Sequence, residues 1–206
     1  MIGTRQVGAS AGWMAETKEP SSQRENPQID TLITPSGTVT IRPAHEADAA
    51  AFRDLRLEAL QNHPEAFGAD YTMNLARPLS EWSERLRFRQ RDDAEMIYFA
   101  ARSERLIGMS GITQGVSPKT HHSATLWGVY VRPDWRGFHI AEGLITACVE
   151  WARTRGVTVV KLAVVTTNTA AIRCYVRLGF KVYGVEPQAL YHRETFYDEL
   201  LMIRPT

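Results

Sequence analysis

The stretch VYVRPDWRGFHIAEGLITACVEWA, residues Val129–Ala152, constrains the fold more than any other part of the chain. It begins as an apolar strand, turns at Pro133 and Asp134, and continues as a helix with one apolar face. The segment VVKLAVVT at 159–166 follows, with the continuous apolar character of a buried strand. Strand, helix and strand in this order predict a βαβ unit.

The remaining segments extend this unit into one α/β domain. The pattern is helical over 44–64, 79–90 and 168–178, and extended over 38–44, 95–103, 105–113, 124–131, 180–185 and 195–203. The polar pair Ser103 and Glu104 predicts an antiparallel hairpin between two of these strands. We therefore expect a mixed, mostly antiparallel sheet of about six or seven strands flanked by helices.

The first 37 residues differ in composition from the rest of the chain. They are rich in Gly, Ser, Glu, Gln and Pro and show no apolar periodicity, so we expect residues 1–37 to be a disordered tail. The domain is expected to span 38–206. A chain of 206 residues suits one domain with a tail better than two domains.

Charge and cysteine content argue against several classes of protein. The formal net charge of +1 and the lack of a basic patch interleaved with aromatics argue against a nucleic-acid partner. No apolar run approaches the roughly 18 to 20 residues that span a bilayer, so no membrane partner is expected. Cys148 and Cys174 fall inside helical patterns rather than in a paired spacing. This argues against a disulfide framework or a metal site and favours a reducing, cytoplasmic location.

Residues 136–141, RGFHIA, connect the first strand of the βαβ unit to its helix. A helix that opens directly after a strand presents unpaired N–H groups and the positive end of its dipole. A pyrophosphate fits such a site, and the small residues Gly137 and Ala141 leave room for it. The loop alone does not distinguish an anion site from an ordinary turn, because turns of this kind are common.

A second segment, NTAAIRCYVRLGF at 168–180, directly follows the strand at 159–166. Together with the strand, loop and helix before it, this segment resembles the GNAT superfamily of acyl-CoA-dependent N-acetyltransferases. The resemblance extends from about Thr38 to the end of the chain. Arg136 and Gly137 are similar to part of the family's pyrophosphate-binding segment. The second motif is matched at Asn168, Ala171, Tyr175, Gly179 and Phe180.

The resemblance implies a cosubstrate, a reaction and a set of binding residues. Acetyl-CoA would supply an acetyl group to a primary amine by direct attack in a ternary complex, with no metal. Main-chain groups of Val129 and Val131 would bond to the pantetheine arm, and N–H groups of residues 137–142 would hold the pyrophosphate. The implied cofactor-binding residues are Val129, Tyr130, Val131, Arg136, Gly137, Phe138, His139, Ile140, Ala141, Glu142, Asn168 and Ala171.

Tyr175 is the residue to which the resemblance assigns catalysis. The thiolate that leaves the thioester needs a proton, and a phenol with a pKa near about 10 is still protonated at neutral pH. Considered without the motif, a tyrosine on an apolar helix face is also a common core residue. Within the matched motif, we expect Tyr175 to be the general acid.

The base that deprotonates the amine is not identified by the sequence. The stretch TLWG at 125–128 lacks the carboxylate that many relatives carry on this strand. Glu65 and Asp70 in the predicted loop PEAFGADY, and His121 and His122, are candidates, and a water chain is an alternative. The aromatic residues that belong either to an acceptor pocket or to the core are Tyr71, Trp82, Trp127 and Tyr197.

His139 occupies a position where the family usually has glycine. A histidine fits there if its φ angle is negative, with the N–H still aimed at the phosphate. The imidazole then either points outward without a role or donates a hydrogen bond to a phosphate oxygen. We favour the first alternative, because the donors of such loops are mainly backbone groups.

Two functional hypotheses follow from these residues. The first is an N-acetyltransferase, which Tyr175 favours. The second is a non-catalytic acyl-CoA-binding sensor or partner module, which His139 and the missing strand carboxylate favour. The acceptor amine remains open, since one fold serves many acceptors. The oligomeric state is also open, with a homodimer among the alternatives.

Overall fold

A computed structural model describes residues 30–91 and 94–206 of the chain. In this part of the chain, no helix is long and apolar enough to cross a membrane. The strands are β1 Asp30–Thr34, β2 Gly37–Pro43, β3 Glu95–Arg102, β4 Arg105–Gln114, β5 Ser123–Val131, β6 Val159–Val165, β7 Lys181–His192 and β8 Thr195–Pro205. The α-helices are α1 Ala49–Asn62, α2 Tyr71–Leu75, α3 Leu79–Arg91, α4 Ile140–Thr154 and α5 Thr169–Arg177.

All of these strands belong to one sheet with the order β1-β2-β3-β4-β5-β6-β8-β7. Strands β5 and β6, which are connected through α4, pair in parallel. The other neighbouring strands in this order pair antiparallel. The predicted α/β class, the mixed sheet and the βαβ unit are confirmed. Within residues 30–91 and 94–206, the sheet has eight strands rather than the expected six or seven.

The additional strand, β1, lies inside the segment that composition had assigned to the tail. It pairs with β2 from Asp30 opposite Ile41 to Thr34 opposite Gly37. Leu32 packs against the main core, where a side-chain carbon added to Gly143 of α4 would lie 3.3 Å from it. The predicted boundary at residue 37 is therefore too late, because the sheet already includes Asp30. The expectation of disorder for residues 1–29 lies outside the described residues.

The helices cover both faces of the sheet and divide the core into two clusters. Alternate residues of β3 point to opposite faces, so Phe99 packs with α1 and α3 while Tyr98 and Ala100 pack with α4. The apolar stripe predicted for α4 is buried at Ile140, Leu144, Cys148, Trp151 and Ala152. A helix with one such face stabilises the fold mainly through this burial.

Strands β5 and β6 separate soon after they begin. They pair from Ser123 opposite Val159 to Thr125 opposite Lys161, and the pairing ends there. On its other side β5 stays paired with β4 but contains a bulge, since Met109 pairs with Tyr130 and Gly111 with Trp127. Gly128 lies in this bulge with a φ of 67°, a left-handed conformation that glycine adopts without steric cost. The separation and the bulge open the sheet at its middle.

Candidate active site

A cavity of about 550 Å³ lies where β5 and β6 separate. Residues 126–131 of β5 and 162–165 of β6 line two of its sides. The start of α4, one face of α5 and the turn at residues 63–67 complete the lining. The volume falls in the range typical of small-molecule and cofactor sites.

The structure brings most of the predicted site residues to this cavity. The lining includes Tyr175 and every predicted cofactor-binding residue except Phe138, that is Val129, Tyr130, Val131, Arg136, Gly137, His139, Ile140, Ala141, Glu142, Asn168 and Ala171. The side chain of Phe138 instead packs against the core cluster that contains α4. The two sequence segments, which begin at Arg136 and Asn168, therefore converge because the βαβ unit places α5 beside the start of α4.

His139 is the N-cap residue of α4 and has a left-handed backbone, with φ 59° and ψ 18°. The expectation of a negative φ is therefore wrong. This position favours glycine because of its backbone angle, and histidine is among the residues that tolerate the left-handed region better than most. The imidazole side chain is 77% exposed, and its Nδ1 lies 3.3 Å from Oε1 of Glu142.

Glu142 in the first turn of α4 is held by charged neighbours. Its Oε1 accepts a hydrogen bond of 2.6 Å from Nη2 of Arg177 in α5 and also faces His139. Burial favours the neutral acid, but the hydrogen bonds from Arg177, from its own backbone N–H and from His139 outweigh this, so the pKa of Glu142 lies below its ordinary value. The pair with Arg177 links the start of α4 to α5.

Helix α5, Thr169–Arg177, lies within the predicted helical range of 168–178. Oδ1 of Asn168 accepts a hydrogen bond of 3.2 Å from the backbone N–H of Ala171, which is an N-cap. Tyr175 on this helix is 7% exposed and packs edge-on against Phe180 with 5.9 Å between the ring centroids. Burial, and then the charge of Cys174, raise the pKa of Tyr175 well above its ordinary value. Its hydroxyl therefore remains protonated at neutral pH.

The exposed side chain of Arg136 is bound to protein groups at the cavity. Its Nε donates to the carbonyl of Val131 at 3.1 Å, and its Nη2 lies 2.9 Å from Nε2 of His63. The guanidinium also lies 5.9 Å from the centre of the Tyr130 ring. Arg136 therefore fastens the end of β5 to the turn at residues 63–67.

The candidates for the base are separated by the structure. Glu65 lines the cavity, whereas the Asp70 carboxylate caps α2 by accepting from the N–H of Met73 at 2.8 Å. His121 and His122 precede β5, at the opposite end of that strand from the bulge, and are not part of the cavity lining. Sequence reasoning missed His63, which ends α1 and also lines the cavity.

The aromatic candidates divide between the site and the core. Trp127 lines the cavity, and its Nε1 donates to Oγ1 of Thr113 at 2.9 Å. Trp82 is 1% exposed and belongs to the core cluster under α1. Tyr71 and Tyr197 are not part of the cavity lining. Within the described residues, no group of three or more His, Cys, Asp or Glu side chains is arranged to hold a metal ion.

Comparison with known proteins assigns the chain to a family. The model of the acetyltransferase (GNAT) family matches residues 52–180, which is more than half of the chain. The chain therefore belongs to this family, as the two sequence segments indicated.

Individual relatives agree with this assignment. The chain is 31% identical to a mycothiol acetyltransferase of Brachybacterium faecium over 144 residues, which make up 68% of this chain and 40% of that protein. It is similar in fold to an acetyltransferase of the GNAT family from Streptococcus pneumoniae, with a TM-score of 0.74, 23% identity and coverage of 82% of this chain and 99% of that one. The same holds for yncA of Salmonella typhimurium, solved with its cofactor acetyl-CoA, with a TM-score of 0.71, 23% identity and coverage of 81% and 93%.

Proposed function

We propose that this protein transfers an acetyl group from acetyl-CoA to the primary amine of a small molecule or protein, by direct attack in a ternary complex. The observation that carries the proposal is the position of Tyr175, a buried phenol that lines the same cavity as the N-terminus of α4 and the separated part of β5. These three features supply a proton donor, an anion site and a main-chain docking edge. The bound acetyl-CoA of yncA supports acetyl-CoA as the cosubstrate.

The open edge of β5 is the proposed site of the pantetheine arm. Beyond Thr125, β5 has no recorded partner in β6, and Val129 and Val131 line the cavity there. An extended ligand with amide groups can add to such an edge as a further strand does. The arm would then lead from the bulge toward the start of α4, where the pyrophosphate meets the N–H groups of residues 137–142.

The reaction requires one proton to leave the amine and one to reach the thiolate. The neutral amine attacks the thioester carbonyl, the tetrahedral intermediate collapses, and the carbon–sulfur bond breaks. Tyr175 donates its hydroxyl proton to the departing CoA sulfur and recovers a proton from solvent afterwards. Burial raises the pKa of Tyr175, so its hydroxyl keeps its proton throughout the neutral range and is available to the thiolate as a donor.

Glu65 is the proposed acceptor of the amine's proton. It is the one carboxylate among the four sequence candidates that both lines the cavity and is not engaged in a helix cap. Since the turn at residues 63–67 is partly solvated, the proton can pass to Glu65 directly or through a water.

The backbone at His139 removes one argument for the non-catalytic module. The departure from glycine counted against a working pyrophosphate loop, but His139 adopts the left-handed conformation that glycine would adopt. The loop therefore keeps its geometry with a side chain that points away into solvent.

The test is a turnover assay with the purified protein. It is incubated with acetyl-CoA and a panel of primary amines while free CoA thiol is followed, with Tyr175→Phe as the inactive comparison. We expect thiol release that depends on the amine and falls strongly in the variant. Acetyl-CoA binding without amine-dependent thiol release from any member of the panel would favour the binding module instead.

A further inference from the structure

Arg56 on α1 is a buried cation that the proposed reaction does not use. It is 8% exposed, and its Nη1 is buried without a hydrogen-bond partner within the described residues. Its guanidinium lies 5.0 Å from the centre of the Phe67 ring. A side-chain carbon added to Gly128 would lie 3.4 Å from Nη1. Phe67 and Gly128 both line the cavity, so Arg56 lies directly behind its wall.

A second arginine increases the positive charge at this place. Arg85 of α3 lies 5.7 Å from the ring centre of Trp127, another cavity residue. Burial, and then the charge of Arg85, lower the pKa of Arg56 to about 10, which still leaves the guanidinium protonated at neutral pH. Arg56 therefore stays positively charged although its burial and the nearby charge of Arg85 both disfavour the charged form.

The carboxylate two positions further along α1 is already engaged. Oε1 of Glu58 accepts from the hydroxyl of Tyr130 at 2.9 Å, and Oε2 pairs with Nη1 of Arg132 at 2.5 Å. No ion pair of Arg56 with a carboxylate is found within residues 30–91 and 94–206. A buried charge that lacks a partner is costly, and guanidinium groups bind carboxylates through two parallel hydrogen bonds.

We propose that Arg56 binds a carboxylate of the acceptor, so that the acceptor is a primary amine of the amino-acid class. This inference rests on the proposed acetyl transfer. The carboxylate reaches the guanidinium beside Gly128, whose lack of a side chain leaves the approach open, when the Phe67 ring turns aside. The acceptor amine then lies on the cavity side of the β5 bulge, next to Glu65 and the thioester. An acceptor without a carboxylate leaves Arg56 unpaired and binds more weakly.

The experiment compares three forms of each acceptor in the turnover assay. L-α-amino acids and short amino-carboxylic acids are matched with their primary amides and with the corresponding decarboxylated amines. O-Phosphoethanolamine tests whether a phosphate replaces the carboxylate. The variant is Arg56→Met, and the matched control is Arg53→Met, which removes the same charge from the same helix at a half-exposed position. Thermal unfolding is recorded in parallel with CoA and each probe.

We expect the carboxylated acceptors to have a kcat/KM about tenfold to a hundredfold above that of their amides, the range of a charge-assisted hydrogen bond. Arg56→Met should abolish this preference by lowering kcat/KM for the carboxylated acceptors. It should not lower the melting temperature, because it removes an unpaired buried charge. Arg53→Met should keep the preference.

Each of the following outcomes of the turnover assay would overturn the inference. If the unmodified protein turns over carboxylated acceptors and their amides at equal rates, the carboxylate site is wrong and the acetyltransferase proposal remains intact. The same holds if O-phosphoethanolamine outperforms every carboxylate, or if Arg53→Met loses the preference equally. An Arg56→Met protein that melts several degrees lower and loses all acceptors alike would show a structural role.

The thermal measurement separates this inference from the proposed function. If no amine is turned over, but carboxylated amines raise the melting temperature of the CoA-bound protein and not of its Arg56→Met variant, the transferase proposal fails and the carboxylate site stands. If no amine is turned over and no such shift occurs, both fail.

Discussion

The two halves of the cavity are built in different ways. The proposed donor half lies around the start of α4 and α5, and its polar side chains are paired, as Glu142 is with Arg177 and Asn168 with the N–H of Ala171. The proposed acceptor half consists of residues from the turn at 63–67 and of Trp127, and the unpaired cation Arg56 of α1 lies behind it. A half whose polar side chains are already paired suits one constant ligand, whereas residues of a turn can vary with the substrate.

The bulge at Gly128 marks the border between these halves. It turns β5 so that Val129 and Val131 face the donor half, while Trp127 and Gly128 border the acceptor half. Tyr175 lines the cavity from the α5 side, next to the diverging strands. If the two halves bind different ligands, substitutions at the border should lower kcat. Substitutions within one half should weaken the use of one ligand, either acetyl-CoA or the amine.

The largest effect is expected at the border, from Tyr175→Phe. We expect kcat to fall about 100-fold because the leaving thiolate loses its proton donor, while acetyl-CoA binding is retained. Since the pKa of Tyr175 is raised, its protonated form persists as pH increases. The rate of the unmodified enzyme should therefore not decline through loss of this proton below about pH 10.

Steady-state kinetics and calorimetric titration with acetyl-CoA measure the two quantities. Tyr183→Phe, at an exposed position of β7, is the matched control and should behave like the unmodified enzyme. If Tyr175→Phe turns over at the normal rate, Tyr175 is a core residue, and the border between the two halves has no part in catalysis.

The next effect is expected on the acceptor side, from Glu65→Gln. At neutral pH we expect kcat/KM for the amine to fall about tenfold, less than for the general acid, because water can partly replace a base in a solvated turn. The difference should shrink at high pH, where more of the amine is already neutral. The dissociation constant for acetyl-CoA should not change.

A pH series of kcat/KM tests this prediction, with Glu81→Gln on the exposed side of α3 as the control. If Glu65→Gln instead weakens acetyl-CoA binding and leaves the amine dependence unchanged, the turn at residues 63–67 belongs to the donor half. The assignment of this turn to the acceptor half is then wrong.

A smaller effect is expected on the donor side, from Asn168→Ala. Loss of the side-chain cap should reduce the free energy of unfolding by about 1 kcal/mol, because the N–H of Ala171 loses its acceptor. Denaturant unfolding measures this, and Thr167→Ala serves as the neighbouring control. If the loss is no greater than in the control, the cap does not contribute to stability. If Asn168→Ala also weakens acetyl-CoA binding, Asn168 contacts the cofactor as well.

The smallest effect is expected from His139→Gly. The dissociation constant for acetyl-CoA should change by less than about tenfold, with no new pH dependence between about pH 5.5 and 8, because the imidazole points into solvent. The free energy of unfolding should rise by less than about 1 kcal/mol, because glycine relieves the left-handed backbone while an exposed contact with Glu142 is lost.

His139→Ala separates these two contributions, since it removes the imidazole and keeps the strained backbone. It should bind acetyl-CoA like the unmodified protein and show no gain in stability. Weaker binding in both variants, with a deficit that grows as the pH falls, would instead make His139 a phosphate ligand.

The donor half could be predicted from the sequence because its evidence is local. The apolar spacing of α4, the cap at Asn168 and the placement of Tyr175 within its helix depend on residues a few positions apart. Their meeting at one cavity follows from the βαβ connection between β5 and β6, a short-range rule of topology. The family's order of segments supplied the rest.

Tertiary structure alone decided the acceptor half and the edge of the sheet. Strand β1 is short and has a weak pattern by itself, and it becomes part of the domain because Leu32 reaches Gly143, more than 100 positions away along the chain. Arg56 has no signal in the sequence that distinguishes it from Arg53, the other arginine of α1. Its burial behind Phe67 and Gly128 depends on three segments that meet in space. Sequence patterns report which face of an element is apolar, whereas the partner of an individual side chain is set by packing between distant elements.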